Sequence, residues 1–174
     1  MTLCLESSPK PILIFAYGNL SRGDDALGPL LLQYIEQHCD SSEIEFLTDF
    51  QLQVEHALDI DKRDLVLFVD ASVSSGNAFV FTELTPVKDK SYSTHAMSPS
   101  AVLAVYQNIN KQNPPPCFLL AIKGEQFELG EGLSEQAQQH LEQAGQFVQQ
   151  LLACSDSLIW RQYALPFERQ HFPS

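Results

Sequence analysis

Short apolar runs alternate along the chain with longer stretches whose apolar residues recur every three or four positions. Ile12-Leu13-Ile14-Phe15-Ala16-Tyr17 is almost continuously apolar and ends at Gly18-Asn19, the signature of a buried strand and its turn. From Asp24 to about Cys39, the residues Leu27, Leu30, Leu31, Tyr34 and Ile35 fall at helical spacing, behind two acids suited to a helix N-terminus. Residues 43–48 read as a second strand and 52–59 as a short helix. Leu65-Val66-Leu67-Phe68-Val69, stopped by Asp70, is the clearest strand of all. Residues 78–83 form a fourth strand after a gap of about seven residues. A parallel crossover needs a dozen or more, so this strand is predicted to be antiparallel at the sheet edge. Ser98-Pro99 supplies an N-cap and an N1 proline to a helix carrying Val102, Leu103, Val105 and Tyr106, which stops near Pro114-Pro115-Pro116. Residues 117–122 make a fifth apolar strand. Ser134 opens a long helix with Ala137, Leu141, Ala144, Val148 and Leu151 on one stripe.

The order β-α-β-α-β-β-α-β-α predicts an α/β three-layer sandwich whose twisted, mostly parallel five-stranded sheet carries one antiparallel edge strand. The length of 174 residues fits a single domain, set at 1–154. A C-terminal tail, 155–174, follows; its Trp160, Tyr163, Phe167 and Phe172 show no clear period.

Composition narrows the partners. With 22 acidic against 10 basic residues the net charge is -12, a field that repels phosphate backbones and anionic lipid and suits a basic segment or a metal cation. Nucleic acid and membrane are therefore not expected partners. The four cysteines, Cys4, Cys39, Cys117 and Cys154, have no C-x-x-C or zinc-like spacing; Cys117 and Cys154 fall where buried thiols are usual. The N-terminal residues carry no basic-then-apolar signal, and no apolar run approaches the ~18 residues of a membrane span. A cytoplasmic protein with free thiols is expected.

In open α/β sheets, ligands gather outside the carboxyl ends of the strands. The first strand is followed there by Gly18 to Asp25, the third by Asp70, the fifth by Lys123-Gly124-Glu125, and the loop before Ser98 brings His95. Asp25, Asp70 and His95 offer two carboxylates and one imidazole from three loops. Three ligands of this mixed type leave coordination positions open and suit nickel, zinc or manganese. Asp24 is expected to cap the first helix, while Arg22 and Lys123 are expected to be solvated. His38, His56 and His140 are read as surface or capping residues, and His171 is unassigned. The glycine-bearing loop has neither G-x-G-x-x-G nor G-K-[ST], so it is not a phosphate cradle. No G-x-S-x-G elbow or Cys/His nucleophile arrangement appears.

The run Gly18-Asn19-Leu20-Ser21-Arg22-Gly23-Asp24-Asp25-Ala26-Leu27-Gly28-Pro29 resembles the opening motif of the nickel–iron hydrogenase maturation proteases. Asp70 in Val-Asp-Ala, His95 in Thr94-His95-Ala96-Met97-Ser98, and the segment 123–134 match further family positions, so the likeness covers roughly residues 10–152 in the family's order. The resemblance implies an endopeptidase that removes the C-terminal extension of the hydrogenase large-subunit precursor after nickel insertion. It implies Asp25, Asp70 and His95 as the catalytic and metal-contacting residues. The nickel is then presented by the substrate, and zinc or cadmium can substitute in vitro. Ala26 stands where many relatives have glycine, and residues 49–55 replace a glycine-rich turn seen in some branches. Two alternatives share parts of the pattern. One is a receiver-like signalling domain, with acids after strands one and three and a lysine after strand five. The other is a non-catalytic nickel chaperone on the same fold.

Overall fold

Residues on successive strands alternate between two apolar faces, and this alternation sorts the helices into layers. The computed structural model describes residues 8–73, 76–88 and 97–164. Its strands are β1 (Ile12–Tyr17), β2 (Ile44–Asp49), β3 (Leu65–Ser72), β4 (Phe79–Glu83) and β5 (Cys117–Lys123). Its helices are α1 (Leu27–His38), α2 (Pro99–Asn110), α3 (Glu135–Ala153) and α4 (Ser157–Tyr163), with 3-10 segments at Gly23–Ala26 and Val54–Ile60. The sheet order is β2-β1-β3-β5-β4; every pairing is parallel except β4 with β5. This is the predicted sandwich, with its antiparallel strand at the predicted edge.

Ile12, Ile14, Ala16, Leu65, Leu67 and Val69 point to one face, where α1 and α3 pack on them. Leu13, Phe15, Val66 and Phe68 point to the other, under α2 and the Val54–Ile60 turn. Tyr17 and Asp70 continue the second series by two residues each, which puts them on the same face; Tyr17 ends β1, but β3 does not stop at Asp70 as expected and runs on to Ser72 because it stays paired with β5. The expected caps are present: the hydroxyls of Ser98 and Ser134 accept from Ala101 N (3.1 Å) and Ala137 N (3.2 Å).

The segment without a sequence period contains α4. Trp160 is fully buried against Phe118 and Phe81, and its indole N–H donates to the Leu151 carbonyl at 3.0 Å. Cys39, Cys117 and Cys154 are free thiols; Cys117 is buried, but Cys154, at the C-cap of α3, is exposed because the chain turns off the helix there. Among the described residues no helix is long and apolar enough to cross a membrane.

An all-parallel 2-1-3-4-5 order, required by a receiver-like domain, is not the order found. From β1 the chain passes to β2 on one side, and β3 lies on the other. The crevice at the carboxyl ends of β1 and β3 is therefore the topological switch point.

Candidate active site

The loop after β1 folds back over the strand ends. Asn19 organises it: its side-chain oxygen accepts from Ser21 N (2.9 Å) and its carbonyl from Arg22 N (3.1 Å), while its own N–H donates to the Asp25 carboxylate at 2.7 Å. Gly18 has φ +148, and a Cβ there would overlap the Asp25 carbonyl, so a side chain at this position displaces the acid. Gly28 lets α1 start directly above the strands; a Cβ would sit 3.0 Å from both the Tyr17 and Val69 carbonyl oxygens.

Asp24 is not the cap of α1. It lies wholly buried inside the 3-10 turn, and its carboxylate reaches the loop after β5. There it accepts from Glu125 N (2.7 Å), Gln126 N (3.0 Å), Ser134 N (2.9 Å) and Ser134 Oγ (2.8 Å). Backbone bonds from Asp24 N to Gln126 O (2.7 Å), Gly23 N to Glu131 O (3.0 Å) and Gly130 N to Ser21 O (2.8 Å) complete the joint. Burial pushes the Asp24 carboxyl pKa up, but the three N–H groups and the hydroxyl outweigh it and hold it below the usual carboxylate value. Asp24 thus locks together two of the loops that frame the crevice.

Asp25, in the loop after β1, and Asp70, on β3, flank the switch point, and the charge of Asp25 acts on Asp70. The Asp70 pKa is raised to about 7, first by burial and further by the Asp25 charge; the Ala71 N–H and the Tyr17 hydroxyl oppose the rise. Tyr17 in turn is held well above its ordinary value by burial and by the Asp70 charge, so its hydroxyl stays a donor. A carboxyl group whose pKa lies near 7 is poised to exchange a proton near neutrality. The donor chemistry also fits a divalent cation, which relieves both the repulsion and the desolvation of the pair. His95, the third predicted member, lies outside the described residues. Among the described residues no group of three His, Cys, Asp or Glu side chains is placed to hold a metal ion.

Among the described residues, His56 and His140 bond to neighbouring chain groups. His56 Nδ1 accepts from Gln53 N (2.8 Å) and Nε2 faces Asp49 (3.2 Å); His140 Nδ1 is 2.9 Å from the Lys123 carbonyl. Tyr17, which has no place in the loop motifs, shares the sheet face of Asp70. Its signal was present as parity: it follows Phe15 by two, as Asp70 follows Phe68.

An α/β sandwich with a carboxylate pair at its switch point is the class that fold and site define. No family sequence model matches the chain, and no curated protein does. Among solved structures it is similar to the nickel–iron hydrogenase maturation protease HycI of Thermococcus kodakarensis, at 24% identity and a TM-score of 0.65 over 84% of this chain and 95% of that one. It is similar to the hydrogenase maturating endopeptidase HybD of E. coli at 24% identity and TM-score 0.65, covering 83% and 93%. A hydrogenase 2 maturation peptidase of a thaumarchaeote aligns at 17% identity and TM-score 0.61, covering 83% and 99%. The chain has the fold of the nickel–iron hydrogenase maturation proteases, as the resemblance in the sequence implied.

Proposed function

We propose that this protein is an endopeptidase that removes the C-terminal extension of a nickel–iron hydrogenase large-subunit precursor, acting in the cytoplasm after nickel insertion. The observation that carries the proposal is Asp25 and Asp70, with the Asp70 pKa raised to about 7, at the switch point of a fold shared with hydrogenase maturation endopeptidases. The nickel belongs to the substrate. Asp25 and Asp70, with His95 as the third ligand, contact it, so that only a filled precursor is held with its scissile bond over the site. Zinc or cadmium can take the same oxygen and imidazole donors in vitro.

Hydrolysis needs a water to lose a proton as it adds to the scissile carbonyl, and the departing amine to gain one. A cation beside that carbonyl polarises it. A carboxylate with a pKa near 7 is matched to both proton transfers: ionised, it accepts the proton of the water, and protonated, it returns that proton to the amine nitrogen as the C–N bond breaks. Asp70 has that property before the cation arrives; once it ligates nickel its pKa falls, so the acid that stays unligated, Asp25 or Asp70, serves as the general base. Incubation of the protein with precursor purified with and without nickel, read by intact mass, tests the proposal. Loss of the extension from the nickel-bearing form alone supports it. Cleavage of both forms at equal rates removes the metal from recognition, and cleavage of neither removes the activity.

A further inference from the structure

A single exposed leucine is ordinary on a protein surface, but two held at one point are a place for something to cover. The loops after β1 and β5 run alongside each other at the rim of the crevice. They are joined by Gly130 N to Ser21 O (2.8 Å), Gly23 N to Glu131 O (3.0 Å) and Asp24 N to Gln126 O (2.7 Å). A Cβ on Gly23 would overlap the Gln126 carbonyl, so the two backbones touch. The residue before each partner of the first bond is an exposed leucine, Leu20 at 55% and Leu129 at 70% exposure. Glu125, Glu128 and Glu131 are exposed along the same loop as Leu129, and Arg22 is the one basic residue in segments 18–26 and 124–134. The patch adjoins the candidate site, because Leu20 follows Asn19, whose N–H donates to the Asp25 carboxylate at 2.7 Å.

We propose that Leu20 and Leu129, with Glu125, Glu128 and Glu131, form a docking surface for an extended basic peptide, and that its occupant is the C-terminal extension of the precursor. The assignment rests on the functional reading above and adds the chemistry of the bound segment: an apolar side chain to cover the leucines, flanked by lysine or arginine. Charge decides the occupant. The two segments carry five acids and one base, which repel anionic lipid and a second copy of this chain with its net charge of -12. Charge alone would draw a basic chain to the whole acidic surface; the leucines fix where it lies. Both loops are already set by their backbone bonds and by the buried Asp24 carboxylate, so little ordering cost falls on the protein when a peptide settles there. An open patch at the rim, rather than an enclosed groove, suits a segment that leaves after the cut.

Fluorescence anisotropy tests this with three labelled peptides: alternating leucine and lysine, the same with serine for leucine, and the same with glutamate for lysine. Covering a leucine contributes about tenfold in affinity, so wild-type protein should bind the first peptide about tenfold or more tightly than either of the others. The double variant Leu20→Ser, Leu129→Ser should melt within a few degrees of wild type, because both side chains are exposed, and lose about tenfold or more of that affinity. Leu158→Ser, at an exposed leucine of α4, should lose none. On nickel-bearing precursor the double variant should raise KM with kcat little changed. Equal binding of the leucine–lysine and serine–lysine peptides would show attraction by charge alone and overturn the assignment. Wild-type affinity in the double variant, or an equal loss in Leu158→Ser, would overturn it too. A wild-type dimer that the double variant dissociates in sedimentation would give the surface to a second copy instead. Selective peptide binding that the double variant loses supports the docking surface even if wild type cleaves no precursor, an outcome that would overturn the functional reading alone.

Discussion

Replacing Asp24 probes how the crevice is held together, because one buried carboxylate receives four hydrogen bonds from a loop more than a hundred residues away in sequence. Three of those bonds, from Glu125 N, Gln126 N and Ser134 Oγ, converge on one oxygen, and Ser134 N takes the other. Asp24→Ala removes both acceptor oxygens, and with them all four bonds, and strips partners from three main-chain donors. At a net ~1 kcal/mol per bond the loss should be about 3–5 kcal/mol. Asp24→Asn can keep its oxygen toward the threefold cluster and turns a donor against Ser134 N–H, so its cost should be about 1–2 kcal/mol. Urea unfolding at pH 7 measures both, with the slope unchanged if the native state stays compact. The carboxyl is depressed below its ordinary 3.8, so the stability it contributes is present above the unfolded value near 3.9 and is lost as pH falls through the lower folded value. The gap between wild type and Asp24→Asn should therefore close at strongly acid pH. An Asp24→Ala protein within ~0.5 kcal/mol of wild type at pH 7 would show that the loop joint does not depend on this residue, contrary to its burial and bonding.

Asp70 has the opposite sign. Its pKa is raised from 3.8 to about 7, so the native state holds a proton that the unfolded chain has released, and stability falls as pH rises between about 4 and 7. About three pH units at roughly 1.36 kcal/mol each set an upper bound of about 4 kcal/mol. Asp70→Asn should thus raise stability by at least ~1 kcal/mol at pH 8, change it little at pH 4, and abolish processing; equal effects at both pH values would contradict the origin given for the shift. Asp25→Ala and His95→Ala should each stop or greatly slow processing while far-UV dichroism stays native, and full activity in both would remove them from the site. Trp160→Ala should cost about 3–5 kcal/mol in a denaturant titration, because the indole is fully buried and hydrogen-bonded; a change under ~1 kcal/mol would mean that α4 does not support the core.

The strands were legible because each is a short apolar run, and the antiparallel edge followed from a connection too short to cross over. Ser98 and Ser134 announced their helices through cap chemistry that is local in sequence. Two features were not legible for the same reason: they depend on pairings remote along the chain. Asp24 looks like a helix cap because acids at helix starts usually act on their own first turn, and nothing near position 24 reveals Glu125, Gln126 and Ser134 as its donors. The burial of Trp160 is likewise invisible in a seven-residue helix too short to show a period, and is decided by the ring surfaces of Phe118 and Phe81. Asp25 and Asp70 stood out in the sequence as acids that follow apolar strand runs, but the action of the Asp25 charge on Asp70 depends on how the fold sets the two loops and is not local in sequence.

The central claim is that an acid pair at the switch point cuts a precursor already carrying nickel. Intact mass of that precursor, followed over time with wild-type protein and with Asp70→Ala at equal concentration, measures it most directly. Loss of one C-terminal fragment with wild type, an unchanged mass with Asp70→Ala, and no loss from nickel-free precursor are the predicted results. A nickel-bearing precursor that keeps its full mass with wild type, or loses the fragment equally with Asp70→Ala, would contradict the account.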